Sequence, residues 1–364
     1  LWLDDFAEFM AIKEHFGNQA LQKWDDKKAV ARDPSALEKY RTMLAEQIQY
    51  FKVTQYFFFK QWSELKHYAN QKGIKIIGDM PIYVAADSVE VWTKPELFQL
   101  DEERNPLFVA GVPADQFSAT GQLWGNPLYA WEEHKKQGYA WWIHRIEESF
   151  KIYDVLRIDH FKGFSDYWQV DGKAEVAKDG SWQPGPGYDL FKAVKEQLGD
   201  LPIIAEDLGN IDDKARKLLA DCNYPGMKIL QFGFEDVSGE SLDSPHYCIP
   251  HSIVYTGTHD NDVTNGWYNS LTEQQQQYIN DYTHRHEDES ICQAMIRQLF
   301  ATVSNTAIAT MQDVLDLPAS SRMNVPSTIG GNWQWRMQQS DLTQDKKDFL
   351  AKMTTLYQRA NQEK

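Results

Sequence analysis

The chain is 364 residues long, with 42% hydrophobic and 25% charged residues, an ordinary globular composition that argues against a disordered or fibrous protein. A formal net charge of -16 argues against a nucleic-acid footprint or attraction to an anionic membrane surface. The 13 Trp, 17 Tyr and 18 Phe favour a sugar as ligand, since aromatic faces stack on the apolar faces of sugar rings as well as filling cores. Cys222, Cys248 and Cys292 are widely spaced and form no C-x-x-C pair, so neither a disulfide framework nor a zinc knuckle is expected. No apolar run approaches a membrane span and the start lacks the order of a signal peptide, so a cytoplasmic location is expected.

Apolar spacing predicts helices over residues 3–15 and 35–72, the second stopped by Gly73. A buried strand over 74–80 follows, with Asp79 near its end and Tyr83 just beyond. Residues 101–132 show no periodicity and hold Pro106, Pro113 and Pro127, yet Phe117, Trp124, Tyr129 and Trp131 argue for an ordered, lid-like insertion rather than disorder. After a helix over 139–150 comes a strand over 153–159, in which Arg157 and Asp159 share a face because residues two apart do. A polar loop at about 171–187 leads to a helix over 188–198 and a strand over 201–205, tipped by Glu206 and Asp207. A helix over 211–221 precedes strands over 227–234 and 252–258, the latter ending in His259-Asp260. Helices over 272–283 and 288–302, a strand over 306–311, a loop holding Arg322 and residues 331–336, and a helix over 342–360 complete the chain.

Strands alternating with helices imply a parallel sheet with helices outside it. No linker or internal repeat divides the chain, so a single α/β domain over 1–364 is expected. Six strands are two short of a closed eight-stranded barrel.

Asp79, Asp159, Glu206 and Asp260 all fall at the C-terminal ends of strands, where an α/β barrel builds its active site. Any one alone reads as a helix cap or ion pair. Four together would repel unless a metal, a cation or altered protonation compensates. A divalent-metal site could draw on His160 and His259, but neither His-x-His nor His-Glu-x-x-His occurs. Chemistry at a glycosidic bond needs one ionised and one protonated carboxyl. Arg157 beside Asp159 suits that Asp as nucleophile, and burial at the end of an apolar strand suits Glu206 as acid and then base. No metal or cofactor is expected.

The stretches Arg157-Ile-Asp-His-Phe-Lys-Gly163, Ile204-Ala-Glu-Asp-Leu-Gly209, Tyr255-Thr-Gly-Thr-His-Asp-Asn261 and Asp115-x-Phe-Ser-x-x-Gly-Gln-x-Trp-Gly-Asn-Pro127 together resemble the 4-α-glucanotransferases, relatives of the α-amylase clan. The likeness extends to residues 78–84, 322–326 and 331–336. It implies a TIM (β/α)8-type barrel with loop insertions, of which strands three to eight would be present. It also implies retaining, double-displacement transfer of glucan segments between maltooligosaccharides and other α-1,4-glucans. On the matching positions, Asp159 would be nucleophile, Glu206 acid/base, and Asp260 the residue that binds sugar hydroxyls. Arg157 and His259 would flank them, and Asp79, Asp115, Gln122, Trp124 and Asn332 would contact sugar, with Tyr83 nearby.

Many relatives carry arginine where Lys162 stands, which keeps the charge and loses the planar fork. The family's N-terminal part would lie before Leu1, so exposed sheet edges and an unstable or inactive chain are expected in its absence. An α-glucan hydrolase on the same scaffold, or a non-catalytic glucan binder, are the alternative readings. Trp333 and Trp335 read as one core and one surface face of an extended segment, and Asn332 could merely order its turn.

Overall fold

The computed structural model describes residues 2–114, 120–209 and 211–360, so Asp115 and Phe117 lie outside the described residues. The chain divides into two units, Leu1–Tyr224 and Pro225–Lys364.

In the first unit, the helix Trp2–His15 buries Ala7, Phe9, Ala11 and Ile12. The helix predicted over 35–72 is broken at Leu44 into Pro34–Met43 and Ala45–Gln71. The first of these has Pro34 at its start and the Asp33 carboxylate accepting the Ser35 and Ala36 N–H groups, both strong start signals. The second stops as expected: Gly73 turns left-handed at φ +73°, and Ile74 N–H returns to the Ala69 carbonyl.

Seven strands follow: β1 (Ile77–Met80), β2 (Phe108–Val112), β3 (Gln122–Pro127), β4 (Val155–Ile158), β5 (Asp166–Asp171), β6 (Gly180–Pro184) and β7 (Ile203–Ala205). β1, β4 and β7 form a parallel sheet in the order β1-β4-β7, with Asp79 opposite Arg157 and Ile158 opposite Ala205. Leu156, Ile158 and Ala205 are fully buried, which is why these strands read as apolar runs. The helix Ala140–Ile152 packs on β1 and β4, burying Trp142 and Ile146.

The remaining four strands form an antiparallel sheet in the order β3-β2-β5-β6. Part of the stretch expected as an aperiodic lid, and of the polar loop at 171–187, is therefore sheet. The reason it escaped notice is physical. β6 buries no residue and β3 only Pro127, so neither shows the alternation that marks a half-buried strand. At Gly111 the β2 backbone approaches β3 so closely that a Cβ would lie 2.4 Å from the Gln122 carbonyl oxygen.

In the second unit, β8 (Gly226–Ile229), β9 (Ser252–Tyr255) and β10 (Thr306–Ile308) form a parallel sheet in the order β10-β9-β8. β8 is shorter than predicted, because residues 230–233 turn into one helical turn. The helices Glu273–Thr283 and Ile291–Ala301 each begin with a reciprocal cap, Thr272 with Gln275 and Ser290 with Gln293. Their apolar faces enclose Leu230, Phe234, Val254, Trp267, Ile279, Met295 and Leu299. Asp313, buried, accepts the Thr256 hydroxyl at 2.6 Å and the Thr264 N–H at 2.8 Å, tying β9 to the helices around it.

All six parallel strands expected from the sequence are present, as two three-stranded sheets and without a closed barrel among the described residues.

Candidate active site

The first unit gathers its acids around one cation. Asp79 and Arg157 are register partners on adjacent parallel strands, and Asp159 follows Arg157 by two residues on the same face. One Arg157 guanidinium nitrogen donates to Asp79 at 2.6 Å and to Asp159 at 2.8 Å. The Arg157 side chain is 8% exposed while its two acids are near 40%, so a buried cation underlies two carboxylates that reach solvent. Burial opposes the guanidinium's charge, but Asp79 and Asp159 outweigh it and raise its pKa, so it stays charged.

Glu206 stands one residue past β7. Its two carboxyl oxygens accept the His160 N–H at 2.7 Å and the Leu208 N–H at 2.9 Å. Burial, and then the Asp159 charge, push its carboxyl up to about 7, against the lowering by Arg157 and by those two donors. The His160 donor is aimed by its backbone, which is left-handed at φ 50°, a conformation few non-glycine residues adopt. Burial holds the His160 imidazole down to about 4, so it is neutral at pH 7.

Trp124, on β3, meets the His160 ring edge-on at 4.8 Å and the Tyr83 ring at 6.3 Å. Gln122, two residues earlier, accepts the Trp124 indole N–H at 3.2 Å. Tyr83 is buried and stacks on Tyr129 at 5.9 Å. The loop after β1 is pinned by Arg145, which donates to the carbonyls of Pro81 at 2.7 Å and Ile82 at 3.0 Å, and by the Tyr129 hydroxyl on Ile82 at 2.7 Å. Neither Arg145 nor His160's backbone role was legible in the sequence. The first lies in an unremarkable helix, and the second depends on a dihedral that the residue type does not announce.

Lys162 joins three elements. Its ammonium donates to Asp166 at 2.6 Å on β5 and to Asp212 at 2.9 Å, and lies 4.5 Å over the Trp182 ring on β6. Asp212 in turn caps the helix Asp213–Cys222 through the Ala215 N–H.

In the second unit, Asp260 is fixed by neighbours from a distant loop. Asn324 donates to its carboxylate at 2.7 Å, Arg322 donates to its carbonyl at 2.7 Å, and His259 Nε2 lies 3.2 Å from its other oxygen. Asn332 closes its own loop: its amide oxygen accepts the Val325 N–H at 3.0 Å and its amide N–H donates to the Thr328 hydroxyl at 3.0 Å. The first unit thus brings Asp79, Arg157, Asp159 and Glu206 together at strand ends, with Tyr83, Gln122 and Trp124 linked by ring and hydrogen-bond contacts. The second brings Asp260 and His259 together.

Parallel strands ending in an Asp paired with a buried guanidinium and a buried Glu raised to about 7 set two carboxyls in unlike surroundings at neighbouring strand ends, a setting suited to an acid–base enzyme. Comparison with known proteins narrows this. A 4-alpha-glucanotransferase family model matches residues 1–343. A 4-alpha-glucanotransferase of Streptococcus pneumoniae is 53% identical over 362 residues, covering 99% of this chain and 72% of that protein. One from Thermus thermophilus is 42% identical over 350 residues, covering 94% and 69%. Among solved structures, the amylomaltase from Streptococcus agalactiae in complex with acarbose matches with a TM-score of 0.97 at 60% identity, covering 99% of this chain and 73% of that one. The chain belongs to the 4-alpha-glucanotransferase family, whose members are enzymes that transfer glucan segments.

Proposed function

We propose that the chain moves α-1,4-glucan segments between maltooligosaccharides by double displacement. The carboxylate of Asp159, paired with Arg157, attacks the anomeric carbon. Glu206, protonated at the start, gives its proton to the departing glycosidic oxygen as the carbon–oxygen bond breaks. The shortened glucan leaves, and a glucosyl ester on Asp159 remains. A second glucan then offers its 4-hydroxyl. Glu206, now ionised, takes that proton while the oxygen attacks the anomeric carbon and frees Asp159. The observation that carries this reading is the opposite treatment of two neighbouring carboxyls: one beside a buried guanidinium, the other raised to about 7.

Around this pair, Asp79, Tyr83, Gln122 and Trp124 are proposed to line the sugar path in the first unit, with Trp124 limiting the access of water. His259 and Asp260 are proposed to bind sugar hydroxyls, an assignment that rests on the resemblance of residues 255–261. Asp115 is proposed on the same ground alone.

Incubation with maltotriose tests the reading. Transfer gives glucose together with a ladder of longer oligomers; shortening without a ladder would establish the hydrolase instead. The Glu206→Gln variant should lose transfer by about 10²–10⁴-fold while still binding maltotriose, because it removes only the proton donor. A variant that keeps the ladder would exclude Glu206 as the acid/base.

A further inference from the structure

Residues 81–84, which follow β1, form a loop, and three of its carbonyls accept from side chains. Arg145, on the helix Ala140–Ile152, donates through one guanidinium nitrogen to Pro81 at 2.7 Å and through the other to Ile82 at 3.0 Å. The Tyr129 hydroxyl gives Ile82 a second donor at 2.7 Å, and the Asn126 amide donates to Val84 at 2.9 Å. Of these three side chains only Arg145 spans two carbonyls. A planar fork fixes direction as well as distance, which a single donor does not. The fork is itself held in place, its carbon lying 5.0 Å from the Trp142 ring centre and 5.3 Å from that of Trp141.

Fixing that backbone fixes what hangs from it. Tyr83, between the held carbonyls of Ile82 and Val84, is buried with its ring on Tyr129, and it meets the Trp124 ring at 6.3 Å. Trp124 and Asn126 are two apart on β3 and share a face, so one strand both bonds to the loop and rests its indole on Tyr83. On its other side the loop closes on the turn after Asp159. A Cβ at Gly163 would lie 2.7 Å from Ile82 Cδ1, so the packing there leaves little room for a displaced loop. A cation on an outer helix thus bears, through Ile82 and Tyr83, on the indole proposed to line the sugar path.

We infer that Arg145 is a positioning residue for glucan binding, which sets the place of Trp124 through the loop 81–84 and touches no sugar itself. The inference rests on the glucan-transfer reading for its ligand class and goes beyond it in naming a residue behind the site that governs affinity.

The test uses the full chain in a Glu206→Gln background, where turnover is stopped and maltotriose binding can be read by calorimetry. Arg145→Met, which keeps the stem against the two indoles, should weaken binding about tenfold, the worth of one well-placed aromatic contact. Arg145→Lys, which offers a point donor in place of the fork, should fall between Met and parent. Trp124→Ala should weaken binding to a similar degree, and adding either Arg145 substitution to it should cost no further affinity, because the two residues act as one unit. Unchanged binding by Arg145→Met, or losses that simply add to that of Trp124→Ala, would overturn the inference. If Arg145→Met does not fold, Arg145→Lys reads the same coupling. With Glu206 intact, Arg145→Met should raise KM with little change in kcat and leave the fall of kcat/KM near pH 7 in place, since Glu206 is held by the His160 and Leu208 N–H groups and not by this loop. A shifted pH profile would mean general disruption of the site and would count against a positioning role. Absence of a maltotriose ladder from the parent enzyme would count against transfer, and leaves the calorimetric coupling readable on its own.

Discussion

The protonation of Glu206 is the most consequential single-residue property of the first unit. Its folded pKa of about 7 lies above the ordinary value of 4.5, so between those limits the folded state holds a proton that the unfolded chain has released. The contribution of this group to stability is therefore full below about 4.5 and is lost as pH rises through about 7. Activity should follow the same limb: kcat/KM falls as pH rises past about 7, because bond breaking starts from the protonated acid. Burial is the largest cause of the shift and the Asp159 charge the next, so Asp159→Asn should lower the Glu206 titration only part of the way toward 4.5. Carbon-detected NMR of labelled glutamate measures this; an unmoved titration would show that the two carboxyls do not communicate. Asp159 and Glu206 were legible in the sequence because an apolar strand ending in an acid is a local pattern. Their unlike surroundings were only half legible. Arg157's place beside Asp159 follows from the two-residue period, whereas its bond to Asp79 needs a strand pairing across 78 residues.

At the scale of elements, the parallel strands announced themselves through continuous burial, while the antiparallel sheet did not, since its strands carry exposed and glycine positions that mimic loop. That sheet nevertheless supplies Gln122 and Trp124, so its attachment to the parallel strands matters. Lys162 provides one attachment, holding β5 and the cap of the helix Asp213–Cys222 to the turn after Asp159. Lys162 and Asp166 are each under 15% exposed, and a partly buried carboxylate left without its cation is costly. Lys162→Met, which keeps the stem over Trp182, should lower stability by about 2 kcal/mol in a urea titration, most of it from Asp166 because Asp212 is largely solvated. The pH dependence has the opposite sign to that of Glu206. The Ala215 N–H, aided by Lys162, lowers the pKa of Asp212, although burial works against them. Its contribution is present above the ordinary value of 3.8 and is lost as pH falls through the depressed one. A Met variant as stable as the parent would mean the clamp is ornamental.

For the whole molecule, one surface stands apart. No residue of the helix Ala45–Gln71 is buried, and Tyr50, Tyr56, Phe57, Phe58, Leu65 and Tyr68 are each about half exposed or more. The sequence alone showed apolar spacing there. Periodicity reports which side of a helix is apolar and says nothing of whether that side is covered. An apolar stripe of this size favours association of copies. What opposes it is the net charge of -16, which vanishes near the isoelectric point of about 5.1 and is screened by salt. Light scattering from the 364-residue chain should therefore rise as pH falls from 8 toward 5.5, and also on adding 1 M salt at pH 8, about a 3 Å Debye length. Replacing Tyr56, Phe57 and Phe58 together with Gln leaves the charge unaltered and removes half of the exposed aromatic and aliphatic side chains named above. If the stripe drives association, that variant stays dispersed under both conditions; if charge neutralisation alone does, variant and parent associate alike.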